Sequence, residues 1–385
     1  MIYLDNNATT RVFEEVADAM RPYLVDRFAN PASAIGEFDG VGRAIAESKT
    51  SVARLLGAAE GGAIVVTSGA TEANNHAILG AARACPSRRH LIVSSVEHPS
   101  VLETVRHLET SGYRVTLLPV SRAGAVAVNQ VHQMLSPDTL LVSVMLANNE
   151  TGVIQPVGEI ADVVKNYDPH VLVHTDATQA IGKLPVDLGG GLAAVDLLSF
   201  SAHKFHGPKG VGALFVRESV PFAPLLFGGG QQGGLRPGTE NPSAVIGMAK
   251  AMEYMAARKQ SVGAMQSLRD RIESEVKMFV PGSLVLGAEV PRLPNTLNLF
   301  LPGVQSTELV DKLASCGIAI SSGSACSHGA LRPSHVLLAM GLGHTDAQCC
   351  IRISLSIETT RSEVESFLIE LGKACPRNEA AGIAI

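Results

Sequence analysis

Four short apolar runs rich in β-branched residues, Ala63–Val66, Leu91–Val93, Leu140–Val144 and Val171–Val173, limit most strongly what this chain can fold into. Each is followed by polar or glycine-bearing residues and then by helical periodicity. A strand that is apolar throughout must be covered on both faces, and crossover helices are what cover parallel strands. The pattern predicts an α/β chain built on a mostly parallel sheet. Ligands of such sheets bind outside the carboxyl ends of the strands, so the residues just after each run should carry the chemistry.

At 385 residues the chain is longer than a single core usually grows, which predicts two domains. The expected division is a large domain over 14–258 and a smaller α+β domain formed by 1–13 and 259–385. A glycine-rich polar stretch from Gly228 to Asn241 reads as a functional loop. A long helical stretch from Pro242 to Phe279 follows and bridges to the small domain. There, strands are expected at Thr296–Leu301 and Ile351–Ile357, with a helix at Thr307–Ser315. The formal charge of −5 offers no broad basic field, which argues against direct contact with nucleic acid. No run of apolar residues is long enough to span a membrane, and the N-terminus lacks a signal-peptide pattern, so a cytoplasmic location is expected. The six cysteines contain no C-x-x-C pair and read as reduced thiols rather than as disulfides or a zinc site.

Six motifs follow the strands. Thr67-Ser68-Gly69-Ala70-Thr71-Glu72-Ala73-Asn74-Asn75 is a small-residue turn feeding a helix, which presents free N–H groups and a hydroxyl to an anion; an ordinary capped helix start would read the same. His98, in Glu97-His98-Pro99-Ser100, is either a structural polar residue or part of a site. Asn148-Asn149-Glu150-Thr151-Gly152 has the composition of a turn. In His174-Thr175-Asp176-Ala177-Thr178-Gln179 the acidic residue at a buried strand end needs a partner; a protonated heterocyclic nitrogen would be one, and a metal shared with His174 is the competing idea. Lys204, in Ser201-Ala202-His203-Lys204 after the run Val195–Phe200, is placed for Schiff-base chemistry rather than for a solvated surface. Cys326 sits in Ser321-Ser322-Gly323-Ser324-Ala325-Cys326-Ser327-His328-Gly329, a run of small residues suited to an accessible nucleophile.

The ordered set of motifs, from Tyr3-Leu4-Asp5-Asn6-Asn7-Ala8-Thr9-Thr10 to Ile351-Arg352-Ile353-Ser354-Leu355, resembles the cysteine desulfurases, class V members of the fold-type I pyridoxal-phosphate enzymes. The resemblance implies a large domain with a mixed, mostly parallel sheet covered by helices. It implies that Lys204 holds pyridoxal 5'-phosphate as a Schiff base and shuttles a proton. Asp176 would pair with the pyridine nitrogen, Gln179 with the phenolic oxygen, and His98 would stack on the ring and act in catalysis. Ala70, Thr71, Ser201 and His203 would bind the phosphate, and Thr239 would reach the phosphate of a neighbouring subunit, which implies a homodimer. Asn149, beside the cofactor, and Arg352 would hold the carboxylate of L-cysteine. Cys326 would take the sulfur as a persulfide and hand it to an acceptor protein, for iron–sulfur cluster assembly or nucleic-acid thio-modification. No resident metal is implied.

Three positions depart from the family pattern: Asn30-Pro31-Ala32-Ser33 is followed by Ala34-Ile35-Gly36, Gly329 stands where a hydroxyl residue is common, and Ser356 where glycine is. They bear on acceptor choice and loop behaviour. Another class V enzyme, an aminotransferase or a selenocysteine lyase, is the nearest rival, and Cys326 discriminates against it. A non-catalytic sulfur carrier on the same fold is the rival from a different class.

Overall fold

The computed structural model describes residues 1–58, 61–322 and 333–375; Cys326 and Gly329 lie outside them. In chain order the strands are β1 (Ile2–Tyr3), β2 (Gly62–Thr67), β3 (His90–Ser94), β4 (Arg114–Leu118), β5 (Thr139–Ser143), β6 (Leu172–Asp176), β7 (Leu197–Ser201), β8 (Gly212–Arg217), β9 (Leu284–Val285), β10 (Thr296–Phe300), β11 (Ile318–Ala319) and β12 (Cys350–Ser354). The main sheet has the order β2-β8-β7-β6-β5-β3-β4. The predicted mixed, mostly parallel sheet is observed: β8 alone runs against its neighbours β2 and β7. Only residues 202–211 separate β7 from β8, too short a connection for the crossover that parallel pairing needs.

Alternate residues of each strand enter different cores. Ile64, Val66, Ile92 and Val142 join one buried cluster, while Val65, Leu91, Val93 and Leu141 join the cluster on the opposite face. This two-sided burial is why the runs are apolar throughout. Helices Ala70–Ala84 and Pro99–Thr110 supply one covering layer; Val41–Leu55, Val157–Tyr167 and Pro242–Ala257 supply the other.

A further core forms where β10 pairs with β12, around Leu297, Leu299, Ile351 and Ile353, covered by Ile272, Val276, Phe367 and Leu371. Leu4 belongs to this core and Phe13 to the first, so the chain passes between the two cores within nine residues. The long stretch read from Pro242 to Phe279 is two helices, Pro242–Ala257 and Lys259–Phe279, meeting at Arg258 with φ −108° and ψ 27°. The break has a packing cause. Met248, Met252 and Met255 point into the first core, whereas Met265, Ile272 and Val276 point into the other. Strand ends also shift: β6 runs on to Asp176, and β12 stops at Ser354 rather than at Ile357. Among the described residues no helix is long and apolar enough to cross a membrane.

Gly212 marks where the sheet meets the turn before Ala70. A Cβ there would lie 2.4 Å from the Phe200 carbonyl oxygen and 2.8 Å from the Gly69 Cα, both backbone atoms that cannot swing aside. Gly212→Ala should therefore destabilise the protein by about 1–3 kcal/mol in denaturant unfolding. Gly191→Ala, with nothing within 4 Å of its added Cβ, is the control expected to unfold like the parent.

Candidate active site

The carboxyl ends of β2, β3, β5, β6 and β7 surround a cavity of about 520 Å³. After β2 the chain turns at Gly69 into the helix Ala70–Ala84, whose N-cap has no side-chain hydrogen bond. Without a capping oxygen, the first N–H groups of that helix are available to an anion, and the helix dipole favours one there. After β7 a single tight turn, Ala202–Lys204, carries Lys204 into the cavity. Its Nζ donates to the carbonyl oxygens of Asn7 at 2.7 Å and Ala8 at 2.8 Å. His203 pairs through Nδ1 with the Thr9 hydroxyl at 3.1 Å.

Asp176 ends β6 and is buried. The Thr178 N–H donates to its Oδ1 at 2.9 Å, and the Asn74 amide donates to its Oδ2 at 2.7 Å. Asn74, fully buried, gives its second amide hydrogen to the Ser100 hydroxyl at 2.9 Å. That hydroxyl lies 2.8 Å from His98 Nδ1, and the Ser100 N–H donates to the same nitrogen at 3.1 Å. A nitrogen that accepts a backbone N–H carries no proton, so neutral His98 holds its hydrogen on Nε2. Burial lowers the His98 pKa and favours that neutral form.

Arg352, from β12, reaches the opposite wall. Its Nη2 donates to Asp5 Oδ1 at 2.6 Å and its Nη1 to the Asn149 carbonyl at 3.1 Å. Its Nε is buried and has no partner among the described residues. Gln179 donates through Nε2 to the Asn7 carbonyl at 3.0 Å and accepts from Lys183 Nζ at 2.9 Å. Burial, with the charges of Lys204 and Arg352, pushes the Lys183 ammonium down to about 7.

Ala70, Thr71, His98, Asn149, Asp176, Gln179, Ser201, His203, Lys204 and Arg352 all line this one cavity. Thr239 is exposed and does not line it within a single chain, and Cys326 lies outside the described residues. His174 spends its ring nitrogens on Ser143 at 2.8 Å and Ser199 at 3.0 Å, inside the sheet. Asp5, Asn7, Asn74, Ser100 and Lys183 were not singled out from the sequence. Asp5, Asn7, Asn74 and Ser100 lie inside the quoted motifs without a role assigned there, and a polar residue on the buried face of a predicted helix is the signal that could have marked Asn74. The arrangement combines an open helix start, cations from three elements and one buried carboxylate, a donor set for an anionic ligand that also carries a proton-bearing nitrogen.

Two further carboxyls are buried beside the site. Ser94 and the Met145 N–H both donate to Glu97 Oε1 at 2.6 Å, while Oε2 has no partner among the described residues. Burial first, then the neighbouring Asp176 charge, pushes Glu97 up to about 8, against those hydrogen bonds. Glu150 accepts from Ser334 Oγ and is pushed up to about 7 by burial.

Comparison with known proteins gives consistent matches along the whole chain. The family profile described as aminotransferase class-V matches residues 2–367. A cysteine desulfurase of Enterobacter agglomerans is 44% identical over 365 residues, covering 94% of this chain and 90% of the relative. A solved NifS-like protein superposes with a TM-score of 0.88 at 38% identity, covering 97% of this chain and 98% of its own. The solved complex of SspA with cysteine has a TM-score of 0.80 at 34% identity, covering 94% and 100%.

Glu97 gives a pH test of the site's interior. Its carboxyl ionises near 8 in the fold but at an ordinary 4.5 when exposed, so between those values the folded state binds more protons. Its contribution to stability is complete below about 4.5 and is lost as pH rises through about 8. The unfolding free energy of the parent should therefore fall relative to that of Glu97→Gln as pH is raised from about 5 to about 8, by up to about 1.4 kcal/mol per pH unit, and its Tm with it. Parallel Tm curves for the two proteins would show a carboxylate ionised throughout.

Proposed function

The chain belongs to the class-V aminotransferase family, and from that premise we propose that it takes sulfur from L-cysteine onto Cys326 and releases L-alanine, as a pyridoxal-phosphate-dependent cysteine desulfurase. The observation that carries this reading is the convergence of Lys204, Asp176 and Arg352 on one cavity of ligand size. The described ends of the segment that bears Cys326 support it too. Ser321 exchanges backbone hydrogen bonds with Arg352 at 2.7 and 3.1 Å, and Ser334 is held by Glu150.

The residues fit the cofactor. The uncapped start of Ala70–Ala84, with Thr71, Ser201 and His203, would hold its phosphate. Lys204 would hold its aldehyde carbon, and Asp176, clamped by Asn74 and Thr178, would face its ring nitrogen. Gln179 would donate to its phenolic oxygen and His98 would cover its ring. Thr239, exposed in one chain, would complete the phosphate site of a second copy, so the working unit is a homodimer. When bound, pyridoxal phosphate withdraws electrons from the α-carbon of an amino acid, which labilises the α-proton and the bonds at the β-carbon.

The chain's own groups do the rest. Arg352 orients the substrate carboxylate, with Asp5 and the Asn149 carbonyl fixing its guanidinium. Lys204 Nζ takes the α-proton. His98 presents Nε2–H to the cavity as a hydrogen-bond donor. The Cys326 thiolate attacks the substrate sulfur; an S–S bond forms, the C–S bond breaks with its electron pair left on carbon, and protonation there gives alanine. One cysteine and one enzyme thiol yield one alanine and one persulfide, so no outside oxidant is needed. A protein acceptor then receives the sulfur, for iron–sulfur cluster assembly or nucleic-acid thio-modification. A cytoplasmic setting suits this chemistry, because it keeps such thiols reduced.

Equimolar alanine and sulfide should be released from L-cysteine by the purified protein with a thiol reductant. Amino-group exchange with a keto acid instead would move the function to an aminotransferase. Cys326→Ala should keep the visible cofactor band and lose sulfide release by at least about 1,000-fold; equal turnover in that variant would rule out the persulfide route. Lys204→Ala should lose the borohydride-reducible bond to the cofactor, and a surviving reducible bond would place the attachment on another lysine.

A further inference from the structure

Lys183 is a buried amine to which the reaction above gives no task. It is only 8% exposed, and its ammonium donates to Gln179 Oε1 at 2.9 Å. The other end of the same amide donates to the Asn7 carbonyl at 3.0 Å, and that carbonyl also accepts from Lys204 Nζ at 2.7 Å. Lys183 and Lys204 are thus joined by one side-chain amide and one backbone oxygen. A backbone carbonyl only accepts, so Gln179 must turn its NH2 toward Asn7 and its oxygen away. Lys183 is the donor that satisfies that oxygen. Without it, a buried amide oxygen would be left unpaired, and the amide would gain by leaving this pose.

We propose that Lys183 is a positioning residue of the active site, which holds the Gln179 amide with its N–H groups toward the cavity. Its effect on the cofactor rests on the desulfurase reading, whereas its effect on Gln179 follows from the contacts within the chain. An N–H donor near the cofactor's phenolic oxygen favours the anionic oxygen. It therefore disfavours an added proton on the bond between Lys204 and the cofactor.

Other charged groups face the same place. Lys204 shares its cavity with Asp176 from β6, Glu72 from the start of Ala70–Ala84, His98 from the start of Pro99–Thr110, His203 and Lys209 from its own segment, and Arg352 from β12. Lys183 itself feels Lys204 and Arg352, and on its far side it lines a separate cavity with Arg54, Asp187 and Lys259. A single substitution at Lys183 could therefore act by routes other than Gln179. A double-mutant cycle separates them.

The measurement is a pH titration of the visible absorption of the full-length protein with its cofactor bound, for the parent, Lys183→Met, Gln179→Leu and the double variant. Each single substitution should raise the midpoint by about one pH unit. The double variant should titrate like Gln179→Leu alone, because Lys183 acts through that amide. Lys183→Arg, which keeps a donor and a charge, should stay near the parent. Additive shifts in the double variant, or an unmoved or lowered midpoint in Lys183→Met, would overturn the proposal. Should Lys183→Met fail to hold cofactor, Lys183→Leu, which likewise has no donor, takes its place in the cycle with the same expected shift. A protein that shows these shifts but releases no alanine from L-cysteine would keep the role of Lys183 and refute the desulfurase reading instead.

Discussion

Asn7 offers one backbone carbonyl to two donors, Lys204 Nζ at 2.7 Å and Gln179 Nε2 at 3.0 Å, and much of the site depends on that oxygen being in place. It is held there by its own side chain. Asn7 Nδ2 donates to the Thr296 hydroxyl at 2.8 Å and the Asn149 carbonyl at 3.1 Å, while its Oδ1 accepts from Asn295 at 3.0 Å. Neighbouring residues extend the seam. Asp5 pairs with Arg352, Asn6 donates to the Ser354 carbonyl at 3.0 Å, and Thr10 donates to the His203 carbonyl at 2.9 Å. Residues 5–10 thus bind the main sheet to the β10–β12 core, and do so with polar bonds that are buried or half-buried. Such bonds gain little net energy when made but cost about 1–3 kcal/mol when one partner is lost. The seam is therefore specific: the two cores can pack in one relative position only, the one that also assembles the cavity.

The same seam explains what could be read from the sequence and what could not. Strand-end residues such as Asp176 and Lys204 are legible because period and composition fix where a buried strand stops, and fold class fixes what its end is near. Asp5 and Asn7 follow β1, a strand of two residues that carries no period at all. Their partners lie more than 140 positions away, a separation that no local pattern encodes. Lys183 fails for a related reason. A lysine four residues past Gln179 looks solvated until the fold buries it. The split of Pro242–Phe279 was hidden because both halves are good helices, and only the presence of two cores forces the break at Arg258.

Buried polarity around the cavity is concentrated rather than spread. Glu97 and Glu150 are held near neutrality by burial, and each anchors backbone that positions a site residue: Glu97 grips the Met145 N–H and precedes His98, and Glu150 follows Asn149 and grips Ser334. A protonated carboxyl can accept and donate at once without placing a second negative charge near Asp176. That matters for the proposed reaction, in which Asp176 would face a ring nitrogen, because a like charge nearby would weaken its selectivity for a protonated partner.

Arg352 shows the opposite choice, a full charge kept with its hydrogen bonding incomplete. Asp5 and the Asn149 carbonyl satisfy two of its nitrogens and leave Nε buried without a partner among the described residues. An orphaned donor of this kind destabilises the fold, and the pair with Asp5 does not remove that cost, since ion pairs withdrawn from water return little net energy. What the arrangement does provide is direction. With Asp5 on one side and the Asn149 carbonyl on the other, the guanidinium plane is fixed before any ligand arrives, so a carboxylate meeting it loses little further freedom. Because the Arg352 backbone also pairs with Ser321, on the strand side of the segment that carries Cys326, the residue proposed to orient substrate and the start of that segment share one rigid support.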